Sequence, residues 1–247
     1  MKLRDLRLPL EPKIVVLTGA GISRDSGLAT FRDAGGIWSQ VRIEDVATPE
    51  AFHRDPDRVQ AFYNARRAQL KDPSVAPNPG HLALAQLEGL CGSGLLLVTQ
   101  NIDDLHERAG SKNLRHIHGE LLKRACTACG TKEQWEDDLL TSDSCLVCAT
   151  MGSLRPDVVW FGEMPYFMDE IAQAVADCEL FIAIGTSGTV YPAAGFVAEA
   201  RNAGAHCIEV NPEPSGNPHF HEIYEGPASE ALPRLVDDIL RQRPYRN

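Results

Sequence analysis

The run Ile14-Val15-Val16-Leu17-Thr18-Gly19-Ala20-Gly21-Ile22-Ser23 places a short, unbroken apolar segment directly before two glycines. An apolar run without polar alternation is what a strand buried on both faces requires, and glycine lets the chain leave that strand in a tight turn. Three further segments follow the same pattern: Leu95 to Val98, Leu180 to Ile184 and Cys207 to Val210, followed by Thr, Gly and Asn. Helical periodicity separates them, over His81 to Leu90, Met168 to Ala176, Ala193 to Ala203 and Glu230 to Arg241. Strands alternating with helices predict an α/β fold, a Rossmann-like doubly wound parallel sheet.

Two stretches interrupt this rhythm. Residues 39–79 are charged and helical without a clear strand, and residues 121–153 carry four cysteines and few apolar runs. Neither could bury a core of its own. They are expected to form a smaller domain together, a helical insertion and a zinc-binding one, against an α/β domain of residues 1–38, 80–120 and 154–247. The cleft between the two parts is the natural ligand site.

A chain of 247 residues fits one or two domains, and 43% apolar with 23% charged residues is an ordinary globular composition. Asp and Glu number 34 against 24 Lys and Arg, a formal charge of −10, which argues against nucleic acid as a direct partner. No apolar run reaches the ~18 residues of a membrane span, and MKLRDLRLPLEPK carries charges where a signal peptide needs an apolar stretch. No membrane association and a cytoplasmic location are therefore expected.

Gly19-Ala20-Gly21 would bring backbone amides close to a phosphate, with donors from the helix start that follows; a plain tight turn is the alternative. The third glycine of the dehydrogenase fingerprint would stand at position 24, where the chain has Arg24, and this disfavours hydride transfer. Gln100, Asn101 and Asp103 follow the second strand, where amides and a carboxylate face the crevice and suit ribose hydroxyls or a carboxamide. A helix cap by Asp103 would explain one of those three residues. Gly185-Thr186-Ser187 and Asn211-Pro212-Glu213 close the later strands on the same edge. His118 stands where the core meets the smaller domain; a lone histidine is more often packed or solvated than a base, but this position faces the cleft.

Cys126-x2-Cys129 and Cys145-x2-Cys148 have the spacing of one tetrahedral structural zinc site. Four thiolates leave no open coordination position, so the metal should hold the insertion together and take no part in chemistry. Cys91, Cys178 and Cys207 lie among apolar residues and read as core.

Taken together, GAGISRDSGLATFR, TQNIDDLHERAG, HGE, the paired CxxC, LRPDVVWFGE, GTSGTVYPAA, NPEPS and GPASE resemble the motifs of the sirtuin family of NAD-dependent protein lysine deacylases, in order and over nearly the whole chain. Tyr63 and Arg66 in AFYNARR are similar to the pair that marks the class III members, which favour succinyl, malonyl and glutaryl lysine. The resemblance implies NAD as co-substrate. Its contacts would be Gly19, Ala20, Gly21, Ile22, Ser23 and Ser26 in the first turn, then Phe31, Arg32 and Trp38. Gln100, Asn101, Ile102 and Asp103 would follow, with Gly185, Thr186, Ser187, Asn211, Pro212, Glu213 and Ala228 along the remaining edge. Val159, Phe161, Gly162 and Glu163 would pair with the peptide of an acylated-lysine protein as an added strand.

By the same resemblance, Asn101 and Asp103 bury the nicotinamide, and the acyl oxygen of the modified lysine attacks the ribose carbon as nicotinamide leaves. His118 then acts as general base on a ribose hydroxyl, a step suited to a pKa near the working pH. The products would be nicotinamide, O-acyl-ADP-ribose and free lysine. A protein ADP-ribosyltransferase and a non-catalytic NAD or ADP-ribose binding module are the alternatives. For the acyl group, Tyr63 and Arg66 stand three apart on a helical stretch and share a face, where guanidinium and phenol would converge on a carboxylate. Arg66 in solvent or paired with Asp57 is the competing reading. Arg67 points about 100° away and is expected to be a bystander.

Overall fold

The computed structural model describes residues 2–28, 41–186 and 193–242. Its main sheet is parallel throughout, formed by β1 (Ile14–Thr18), β2 (Leu95–Thr99), β3 (Leu114–His116), β7 (Leu180–Ile184), β8 (His206–Asn211) and β9 (Glu222–Glu225). The spatial order is β3-β2-β1-β7-β8-β9. Every residue of β1, β2 and β7 is buried, because alternate side chains enter cores on opposite faces. Ile14 and Val16 pack with Leu84 and Leu87 of the helix Pro79–Cys91 and with Leu232, Leu235 and Ile239 of the helix Ala228–Arg241. Val15 and Leu17 pack with Ile171 and Val175 of the helix Met168–Asp177 and with Phe196 and Val197 of the helix Phe196–Asn202. Each such aliphatic side chain contributes roughly 1.5–3 kcal/mol by leaving water. The chain winds outward in one direction from β1 to β3 and in the other from β7 to β9. The topological switch therefore lies between β1 and β7, where a crevice opens at the carboxyl ends of the strands.

The helix expected over Ala193 to Ala203 is a 3-10 turn, Ala193–Gly195, leading into Phe196–Asn202. Among the described residues, no helix is long and apolar enough to cross a membrane.

A second, antiparallel sheet has the order β5-β4-β6, with β4 (Gly119–Cys126), β5 (Lys132–Gln134) and β6 (Leu154–Val158). It reaches beyond the expected bounds of 121–153, because Gly119 pairs with Val158. Gly119 has φ +78°, and a Cβ there would lie 2.1 Å from the Asp157 carbonyl oxygen, so only glycine permits this crossing. The helices Ile43–Val46, Pro49–Arg54 and Pro56–Leu70 share a core with this sheet, built of Val46, Ala51, Val59, Tyr63, Leu121, Val158 and Trp160. Polar ties reinforce it: Gln60 Nε2 donates to the Leu154 carbonyl at 2.8 Å, and Asn64 bonds the Leu139 backbone at 2.9 and 3.1 Å.

Arg67 is no bystander. It is buried, donates from Nε to the Leu121 carbonyl at 2.9 Å and from Nη1 to Asn64 Oδ1 at 2.6 Å, and burial pulls its pKa down to about 10. Turning away from Arg66 takes this guanidinium into the shared core instead of into solvent.

Candidate active site

The carboxyl ends of β1, β2, β7 and β8 are laced together. Gly19 N–H donates to the Ile184 carbonyl (3.0 Å), Gly21 N–H to Gly185 (2.9 Å), Gln100 N–H to Thr18 (2.9 Å) and Gly185 N–H to Val210 (2.9 Å). A Cβ on Gly21 would lie 2.6 Å from Gly185 Cα, so glycine is needed here for one turn to nest against the other. The chain then continues as two 3-10 turns, Ala20–Ile22 and Arg24–Ser26, where a regular helix start was expected to supply free amides. The amides of Gly21, Ile22 and Ser23 are instead bonded to Gly185, Gly19 and Ala20. Two expected cofactor contacts also turn inward: Ile22 packs in the core, and Ser26 Oγ accepts from Asn78 Nδ2 at 2.9 Å. Phe31, Arg32, Trp38 and Ser187 lie outside the described residues.

Ser23, Asn101 and Asp103 meet in one buried group. Ser23 Oγ donates to Asp103 Oδ2 at 3.1 Å, and Asn101 Nδ2 donates to Ser23 Oγ at 3.1 Å. Asp103 Oδ1 also accepts the Leu105 N–H at 3.2 Å, so one carboxylate both caps the following helix and joins the buried group. Burial pushes the Asp103 pKa up to about 6, against the pull of the Leu105 and Ser23 bonds. Gln100 Nε2 reaches Thr186 Oγ1 at 3.1 Å, and Asn211 Nδ2 reaches the Thr186 carbonyl at 3.1 Å. Half-buried Ile102 offers its carbonyl to Leu121 N–H at 2.8 Å. Pro212 and Glu213 are exposed, while Ala228 is buried at the start of its helix. Sequence reasoning missed Glu209, a buried carboxylate that accepts from Ser215 N–H (2.9 Å) and Oγ (3.0 Å) and holds the turn after β8.

His118 stands at the seam of the two sheets. Ile117 N–H bonds the Thr99 carbonyl at the end of β2, and the His118 carbonyl accepts Val159 N–H at 2.8 Å. Its Nδ1 lies 3.0 Å from the Gln100 carbonyl oxygen. A carbonyl only accepts, so Nδ1 carries the hydrogen and Nε2 presents its lone pair as a base. Burial lowers the His118 pKa from its usual 6.5, and the bond to Gln100 works against that shift. His116, a second residue missed from sequence, donates from Nδ1 to the Asn101 carbonyl and lies 2.8 Å from Glu107 Oε1 through Nε2. Burial opposes its charge, yet the Glu107 bond prevails and its pKa is raised. The His-x-His spacing was its only mark in the sequence.

Tyr63 is buried and its oxygen accepts from Trp160 Nε1 at 3.0 Å; burial pushes its pKa up to about 12. Arg66 is half-buried, 5.6 Å from the Phe62 ring centroid, and has no ion-pair partner among the described residues. Asp57, the alternative partner, bonds Thr141 Oγ1 at 2.5 Å. Burial lowers the Arg66 pKa, opposed by the charges of Tyr63 and Asp103. In the following segment, Val159 N–H goes to His118, Phe161 N–H to Ala47, Glu163 N–H to Trp160 and Trp160 N–H to Glu163 Oε2. The carbonyls of Val159 and Phe161 and the Gly162 N–H have no backbone partner among the described residues.

The four expected metal ligands converge, with all sulfurs within 4.8 Å of one another. Cys126 and Cys148 Sγ are 3.7 Å apart, as are Cys129 and Cys145. A tetrahedron with Zn–S bonds of ~2.3 Å has S···S edges of ~3.8 Å, so this set fits zinc. The two loops repeat one design: Gly130 N–H bonds the Cys126 carbonyl and Ala149 N–H the Cys145 carbonyl, both at 2.9 Å. Cys91, Cys178 and Cys207 are buried away from this centre. Burial pushes the Cys178 and Cys207 thiols up to about 12 and about 11, which leaves them unreactive.

Comparison with known proteins gives this geometry a context. The Sir2 family profile matches residues 19–192. The chain is 57% identical over 233 residues to an NAD-dependent protein deacylase of Escherichia coli, covering 94% of this chain and 83% of that protein. It is 56% identical over 231 residues to an NAD-dependent protein deacylase of Salmonella typhimurium, covering 93% and 85%. A Sir2 homologue in complex with NAD superposes with a TM-score of 0.83 at 37% identity, over 94% of this chain and 91% of the other. A Sir2 protein bound to a myristoylated histone peptide superposes with a TM-score of 0.69 at 32% identity, over 92% and 91%.

Proposed function

Because the chain belongs to the Sir2 family and is an NAD-dependent protein deacylase, we propose that it preferentially removes acidic acyl groups, succinyl and malonyl, from lysine side chains of cytoplasmic proteins, with acetyl a poorer substrate. The observation that carries this reading is Arg66: a half-buried guanidinium without an ion-pair partner among the described residues, one helical turn from a buried phenol. A guanidinium pairs bidentately with a carboxylate, and an acetyl group offers none.

NAD, when bound, supplies the electrophilic ribose carbon and nicotinamide as leaving group. Asn101 and Asp103 orient the carboxamide, since Ser23 holds both side chains in one hydrogen-bonded chain. The buried wall there excludes water, which would otherwise hydrolyse the cofactor. His118 takes a proton from a ribose hydroxyl at Nε2, and the Gln100 carbonyl fixes the tautomer that makes this possible. Val159, Phe161 and Gly162 align the peptide, Glu163 braces their turn through Arg155 and the Trp160 N–H rather than pairing as expected, and Gln100, Thr186 and Asn211 line the nucleotide edge. Cys126, Cys129, Cys145 and Cys148 would hold zinc, which would brace the β4–β6 module whose Leu121 and Val158 share a core with Tyr63 of the helix Pro56–Leu70. Mass spectrometry of one peptide carrying acetyl, malonyl or succinyl lysine, incubated with NAD, tests the reading. Faster release of the acidic groups supports it, and equal or faster deacetylation refutes it.

A further inference from the structure

Trp160 is buried beneath the Val159–Glu163 turn, and its indole is fixed from several sides. The Arg155 guanidinium carbon lies 3.3 Å from the ring centroid, and the Phe52 ring centroid lies 5.3 Å away. Arg155 is itself clamped, by a bidentate pair with Glu163 at 2.7 and 2.9 Å and by a bond to the Val158 carbonyl at 2.7 Å. The same Glu163 carboxylate accepts the Trp160 backbone N–H at 2.8 Å. The result is an indole that has one position and points its only polar hydrogen at Tyr63, 3.0 Å away.

That bond sets the polarity of the phenol. An indole N–H donates and never accepts, so the Tyr63 oxygen is the acceptor. Its own hydrogen has no acceptor among the described residues and is left to donate. Without the indole donor, the oxygen would accept from the guanidinium of Arg66 one turn along, and two groups meant for a ligand would satisfy each other.

We propose that Trp160 is a positioning residue for acyl choice: by donating to Tyr63 it directs the phenol hydrogen, together with Arg66, at the carboxylate end of the acyl chain. This rests on the preference for acidic acyl groups proposed above. The role is distinct from peptide pairing, because it acts through a side chain and one hydroxyl.

The test is a double-mutant cycle read as the ratio of desuccinylation to deacetylation kcat/KM on matched peptides. Tyr63→Phe should lower that ratio by about 10- to 100-fold, the loss of one hydrogen bond to a charged group. Trp160→Phe keeps an aromatic ring and should lower it by about 3- to 30-fold, chiefly through the succinyl KM. Adding Trp160→Phe to Tyr63→Phe should leave the ratio where Tyr63→Phe alone puts it. Should Trp160→Phe fold poorly, site-specific incorporation of 3-benzothienylalanine at position 160 removes the N–H and preserves the bicyclic shape. Multiplicative effects of the two changes, or equal losses on both acyl groups, overturn the proposal while leaving the acyl preference standing. A wild-type protein without succinyl preference, with a ratio insensitive to Tyr63→Phe, overturns both.

Discussion

Asp103→Asn should raise stability at neutral pH while it lowers activity. Burial lifts the Asp103 pKa from 3.8 to about 6, and two pK units correspond to about 3 kcal/mol. A folded-state pKa above the unfolded value means that this group's contribution is fully present below the unfolded pKa and lost as the pH rises through the folded one. Above pH 7 the native protein therefore holds an ionised carboxylate at a cost of about 3 kcal/mol. Asparagine removes that cost but keeps one acceptor oxygen where the carboxylate served both Leu105 and Ser23, a loss of about 1 kcal/mol. The net gain is about 1–2 kcal/mol above pH 7, which for a chain of this size is about 2–8 °C in Tm. At pH 5 the cost is about half of its value above pH 7, because the unfolded carboxyl is still ionised there, so the advantage should be smaller by about 1 kcal/mol. Calorimetric melts of the zinc-loaded wild type and variant from about pH 5 to 8.5 make the comparison. A difference in Tm that does not change with pH, or a variant less stable at pH 8, would refute the reasoning that a buried anion is maintained here at a cost to folding.

Other outcomes follow from the same geometry. Cys145→Ala should abolish the one zinc per chain seen by metal analysis and lower Tm and activity together, because the β4–β6 module shares its core with the helix Pro56–Leu70. Metal-free wild-type protein with full activity would contradict this. His118→Ala should leave NAD binding largely intact, as followed by calorimetric titration, while deacylation falls by about two to four orders of magnitude. Since burial lowers the His118 pKa below 6.5, the acid limb of the wild-type kcat/KM profile should have its midpoint below that value.

Much of the fold was legible because it rests on continuous apolar runs. Leu180 to Ile184 is a strand with the expected bounds, and β1 and β2 are each one residue longer than read, ending on Thr18 and Thr99. The edge strands β3 and β9 were not legible. Leu114–His116 is three residues long, and Glu222–Glu225 holds only Ile and Tyr between two glutamates. A sheet edge faces solvent on one side and needs no apolar run. The zinc ligands were legible because the CxxC spacing is fixed by coordination geometry. Ile22, Ser26 and Arg67 show the opposite case: each sits in or near a motif, but its direction depends on packing partners distant in the sequence, the sheet core, Asn78 and Leu121. Trp160 was silent for the same reason, its partner lying on a helix far back in the sequence, whereas Glu209 was silent because a glutamate within an apolar strand gives no sign of the turn it holds six residues on.

The most direct test of the account is the kinetics of Arg66→Met on matched succinyl and acetyl peptides. Arg58 on the same helix is the proper control, because it is solvent-facing and paired with Asp45 at 3.2 Å, whereas Arg67 is structural. Loss of a charged hydrogen-bonding partner is expected to lower desuccinylation kcat/KM by about 10- to 150-fold, with a much smaller change in deacetylation and neither rate altered by Arg58→Met. Equal losses on the two peptides, or an Arg66→Met enzyme that still prefers succinyl, would contradict the assignment of Arg66 to the acyl carboxylate.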